Sequence, residues 1–199
     1  TYLASTEDGT IHKCSKSYTE QYLDNYFGHT GSVYKVRSNP YKPDYFLSCS
    51  ADWSCRLWNI KEERQKSVFQ SLDLFDEVLD IEWSPLISTM FASVARDGRL
   101  ELWDLYKNVL DPIATDKPVI PKEVPKENHY LYGRKTVKFS PCAPILATGD
   151  FAGDINIFKL MGFDDTIAIE PTQQVERFNK AIDGMSTNKA EKEVNTDNQ

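Results

Sequence analysis

Cysteine is scarce in this chain. Its four copies, at 14, 49, 55 and 142, form no Cys-x-x-Cys pair and stand at no metal-finger spacing to His12, His29 or His129. That pattern excludes a zinc finger and argues against a disulfide framework, which would be denser in a chain of this size. The thiols are expected to be reduced and mostly buried, with Cys49 and Cys55 facing each other across a turn. Long apolar runs are also missing: nothing approaches the roughly 18–20 residues of a membrane-spanning helix. Positive charge is in deficit, with 23 basic against 30 acidic residues and a net charge of −7. That balance disfavours nonspecific attraction to nucleic acid or to an anionic membrane. No phosphate loop, nucleophile elbow or dinucleotide fingerprint occurs, and basic residues do not interleave with aromatics as a nucleic-acid stacking platform requires. No metal, cofactor or small-molecule substrate is expected.

What the chain does contain is a repeat, in a composition 40% hydrophobic and 12% aromatic that can bury a substantial core. Residues 4–14, 48–58, 93–103 and 148–158 align without gaps. Each segment runs a strand of small residues into a turn, then an alternating strand. The turn positions are Asp8, Asp52, Asp97 and Ala152, spaced by 44, 45 and 55 residues. Asp-Gly at 8–9 and 97–98 is a strong hairpin signal, because glycine accepts positive φ without a Cβ clash. A second landmark precedes each of the last three turns: Asn39-Pro40, Ser84-Pro85 and Ser140-Pro141, each closing a short strand. Each unit therefore reads strand, proline turn, strand, Asp-Gly turn, strand. A period near 40–45 residues is that of a four-stranded propeller blade, which cannot bury its faces alone and must stack on its neighbours.

The predicted fold is all-β: part of a WD-repeat β-propeller over 1–160, about three and a half blades. The blades are placed at 1–27 (partial), 28–72, 73–106 and 130–160. An insertion at 107–129 absorbs the longer third spacing, since Pro112, Pro118, Pro121 and Pro125 disfavour an extra strand pair. The innermost strands read as mostly apolar. The chain opens at Thr1 inside a strand-like segment, so it is read as the C-terminal part of a longer propeller. Residues 161–199 form an acidic tail, with eight acidic and four basic residues. Val175, Phe178 and Ile182 suggest a short amphipathic helix over 172–183, stopped by Gly184. It would either pack on the propeller or dock to a partner. From Ser186 onward the polar sequence is expected to be disordered.

Several residues look chemical and have a structural reading beside the chemical one. Asp8, Asp52 and Asp97 sit on successive turns, not around one substrate, so they are assigned to turn capping. In WD repeats, a Gly-His, a strand serine, the turn Asp and a closing Trp form a buried hydrogen-bonded set. The resemblance assigns His29, Ser50, Asp52 and Trp58 to it. The closing positions of the other units are Cys14, Trp103 and Phe158, so those units keep only parts of the set. Trp53 replaces the glycine found at 9, 98 and 153. It either folds back over apolar surface or forms an exposed anchor for a partner.

Three stretches carry a more specific resemblance. Thr6-Glu-Asp-Gly-Thr-Ile-His-Lys-Cys14-Ser15, Tyr34-Lys-Val-Arg-Ser-Asn39-Pro40-Tyr41 and Phe46-Leu-Ser-Cys-Ser-Ala-Asp52-Trp53-Ser54 resemble the C-terminal propeller of dynein intermediate chains. The likeness is to the axonemal branch, and within it to the intermediate chain of the two-headed inner-arm dynein. One departure is Ser38, where the family usually has an aromatic. The resemblance implies a non-catalytic subunit, its propeller gripping a dynein heavy chain beside other intermediate and light chains. It also implies a place in cytoplasm, cytoskeleton and the axoneme of a cilium or flagellum. ATP hydrolysis would belong to the heavy chain, and light chains would bind N-terminal to the propeller. The competing expectation is a WD-repeat adaptor of another assembly, in ciliary transport or chromatin.

Overall fold

The structure, a computed structural model, describes residues 1–62, 64–70 and 76–196, with side chains to Met185. Fourteen strands among these residues form four antiparallel meanders. The first holds β1 (Tyr2–Ser5), β2 (Ile11–Cys14) and β3 (Asp24–Tyr26). The second holds β4 (Val33–Ser38), β5 (Tyr45–Ser50), β6 (Cys55–Asn59) and β7 (Gln65–Phe69). In the third are β8 (Val78–Trp83), β9 (Met90–Ala95), β10 (Leu100–Asp104) and β11 (Ala114–Asp116), and in the fourth β12 (Arg134–Phe139), β13 (Ile145–Asp150) and β14 (Ile155–Lys159).

The repeat is visible in the backbone bonds themselves. At the four aligned turns the amide of Thr6, Ser50, Ala95 or Asp150 donates to the carbonyl four residues on, at 3.0–3.2 Å. Gly9, Gly98 and Gly153 sit there at φ of +89°, +87° and +93°, a region open to a residue without Cβ. The proline turns are closed alike, by Asn39 to Tyr45, Ser84 to Met90 and Ser140 to Ile145 at 2.8–2.9 Å.

Blades stack through apolar side chains. Ile11, Tyr26, Val33, Phe46 and Trp58 join the first two sheets, and Leu57, Phe69, Trp83, Phe91 and Trp103 join the second and third. Phe46 stacks on Trp58 at 6.1 Å between ring centroids, and Phe91 on Trp103 at 6.0 Å, the same pair 45 residues apart.

Four expectations are corrected. The third blade does not end at 106. Strand β11 pairs with β10, Leu102 opposite Ala114 and Leu100 opposite Asp116, inside the stretch expected to be an insertion. Pro112 and Pro118 flank it without entering it, and an outer-edge strand needs ladder bonds on one side only. Secondly, the inner strands are not mostly apolar. Lys35 on β4 pairs with Asp80 on β8 at 2.5 Å, and Asp80 accepts Thr136 Oγ1 on β12 at 2.8 Å. One step along, Glu82 takes Arg37 at 3.3 Å and Lys138 at 3.0 Å. Sequence patterning misses these pairs because each is made between side chains of different blades.

The other two corrections concern the tail. After the short helix α1 (Asp164–Ile167), helix α2 spans Pro171–Thr196, beyond the expected 172–183. Gly184 does not stop it: a mid-helix glycine costs only about 1 kcal/mol, and Met185 just past it is buried in the core. The helix packs on the propeller. Gln174, Phe178, Ala181, Ile182 and Met185 are buried at the spacing of one helix face. Phe178 meets Tyr45 and Trp83 edge-on, at 5.2 and 6.1 Å. The Gln174 amide accepts from the Ser88 amide (3.1 Å) and donates to the carbonyls of Thr166 (2.7 Å) and Leu86 (3.2 Å). Arg177 pairs with Asp104 at 3.0 Å, the acid of the single Trp-Asp dipeptide in the chain.

Candidate functional site

The most organised polar cluster lies in the second blade. Phe46 on β5 faces Trp58 on β6, and the indole Nε1 reaches diagonally to donate to Ser48 Oγ at 2.8 Å. Ser48 Oγ also meets His29 Nε2 at 2.7 Å, and His29 Nδ1 meets Asp52 Oδ2 at 2.8 Å. A neutral imidazole with its proton on Nδ1 satisfies the whole chain: indole donates to hydroxyl, hydroxyl to imidazole, imidazole to carboxylate. Asp52 also accepts the Thr30 amide at 3.1 Å and the Ser54 hydroxyl at 2.6 Å, with Arg56 at 3.3 Å. Burial pushes the Asp52 carboxyl up, but the bonds from His29 and Ser54 and the Thr30 amide outweigh it. The carboxyl is held well below its ordinary value.

The serine of this set is Ser48, not Ser50. Both side chains point to one face of β5, two residues apart, so the resemblance alone does not choose between them. Ser50, at the strand end, donates instead to the Gly31 carbonyl at 2.8 Å and accepts the Asp52 amide at 3.2 Å. A signal for the choice was present: Ser48 precedes Trp58 by ten residues, and Ser93 precedes Trp103 by ten. Trp103 Nε1 indeed donates to Ser93 Oγ at 3.3 Å. In the fourth blade Thr148 holds the equivalent place and Phe158 the closing one. Phe158 has no N–H, and the buried Thr148 hydroxyl has no hydrogen-bond partner among the described residues; Phe158 packs under the Arg134 guanidinium at 5.2 Å. Asp8 and Asp97 are on the turns of the first and third sheets, away from the set: Asp8 accepts Thr6 Oγ1, and Asp97 accepts the Arg99 amide at 3.1 Å.

A hydroxyl–imidazole–carboxylate chain is also the layout of a serine hydrolase, which needs a nucleophile open to substrate. Here the layout serves packing. Ser48 is 0% exposed, and its oxygen already accepts the indole N–H. Cys49 and Cys55 are paired across β5 and β6, and burial pushes both thiols well up, which keeps them protonated and poorly nucleophilic.

Trp53 is arranged differently. It adopts φ of +67°, the left-handed region of its glycine counterparts, which costs a residue with a Cβ about 1–2 kcal/mol. It is 42% exposed, whereas Trp58, Trp83 and Trp103 are at 0, 4 and 1%.

Antiparallel meanders of three or four strands stacked through their inner strands, one of them closed by a His–Ser–Asp–Trp network, define a stretch of WD-repeat propeller. The family model described as "WD domain, G-beta repeat" matches residues 20–59. Relatives match about 80% of the chain. The chain is 43% identical over 164 residues to "Dynein axonemal intermediate chain 4" of Homo sapiens and 40% identical over 159 residues to "Dynein intermediate chain 2, ciliary" of Heliocidaris crassispina. It is 35% identical over 159 residues to "Dynein, 78 kDa intermediate chain, flagellar outer arm" of Chlamydomonas reinhardtii. Over about four fifths of its length the chain is similar to axonemal dynein intermediate chains. It spans about a fifth of the length of these relatives, 17, 21 and 22% respectively.

Proposed function

We propose that this chain is the propeller part of a non-catalytic intermediate chain, which holds a dynein heavy chain in the axoneme of a cilium or flagellum and supports assembly and regulation of its beating. The observation that carries this reading is the use of the polar cluster. Ser48, His29, Asp52 and Trp58 satisfy one another in the interior, so the chemistry at hand stabilises a rigid blade and leaves its rim for partners. The relatives' names, axonemal, ciliary and flagellar, support the place.

The test is recovery of the full-length tagged chain from ciliated cells. Heavy chain and light chains in stoichiometric amount are expected, and a particle without a heavy chain overturns the reading. The finer assignment to a two-headed inner arm predicts two different heavy chains in equal amount in that particle. Recovery only with outer-arm heavy chains overturns that assignment and leaves the broader one standing.

A further inference from the structure

We draw no further inference here: the strongest candidate, the open edge of the fourth sheet, where β14 has no outer strand beside it among the described residues and Ile155 and Ile157 stand exposed, is an apolar face with nothing in the structure to show what covers it.

Discussion

Replacing Trp58 by phenylalanine imitates in the second blade what the fourth blade already has, an aromatic opposite a hydroxyl with no N–H to give it. Two losses follow from the geometry. The indole-to-Ser48 bond, 2.8 Å and fully buried, contributes about 1 kcal/mol net. The missing part of the ring leaves a void of about 40 Å³, which at roughly 24 cal/mol per Å³ costs about 1 kcal/mol more. Trp58→Phe is therefore expected to destabilise by about 2 kcal/mol, against about 3–5 kcal/mol for Trp58→Ala. Ser48→Ala removes the centre of the network and strands both the indole N–H and His29 Nε2, costing about 2–4 kcal/mol. Because the two residues share one bond, the double variant should cost about 1 kcal/mol less than the two singles combined. Urea unfolding of the full-length chain followed by far-UV circular dichroism measures all three, provided the m-value holds. A Trp58→Phe variant within about 0.5 kcal/mol of the parent, or strictly additive costs, would refute the network as a source of stability.

Three further outcomes follow from the same contacts. The Asp52 carboxyl is depressed in the folded chain, so its contribution is present above the unfolded value near pH 4 and drains away as pH falls below it. Asp52→Asn should be less stable at neutral pH and show a flatter acid limb in melting temperature against pH; parallel limbs would contradict this. Phe178→Ala, which empties the pocket between Tyr45 and Trp83, should cost about 3–5 kcal/mol and expose residues 171–185 to hydrogen exchange, whereas unchanged protection there would disprove the docking of α2. Finally, the exposed Cys142 should react at once with a thiol reagent while Cys49 and Cys55 wait for denaturant, and a common rate for all of them would contradict their burial.

The parts of this fold that were legible in the sequence are those encoded within a few residues. The turns at 8, 52, 97 and 152 announce themselves because the hydrogen bond that closes each one spans four residues. The spacing between them then counts the blades. His29 and Asp52, 23 residues apart, came from family resemblance, since no local rule links them. What stayed hidden depends on tertiary placement. Ser48 and Ser50 share a strand face, and only the reach of Trp58 separates them. β11 is three residues long between prolines and exists because β10 offers it an edge. The length of α2 past Gly184 depends on the core that receives Met185. The half-exposed state of Trp53 was not legible either, since the glycines at 9, 98 and 153 indicate the backbone of the turn and not the direction of an indole.

The ion pairs along β4, β8 and β12 have a consequence for how the array is assembled. Lys35 and Arg37 are basic, Asp80 and Glu82 are acidic, and Thr136 and Lys138 are again polar or basic. The middle blade is thus the complement of both its neighbours, while those neighbours would repel each other. Repeats of one architecture could in principle stack in any sequence, and here they are not interchangeable. Electrostatic parity assigns each blade its place in the succession. A chain that folded with the third blade skipped or doubled would set like charges face to face along its inner edge.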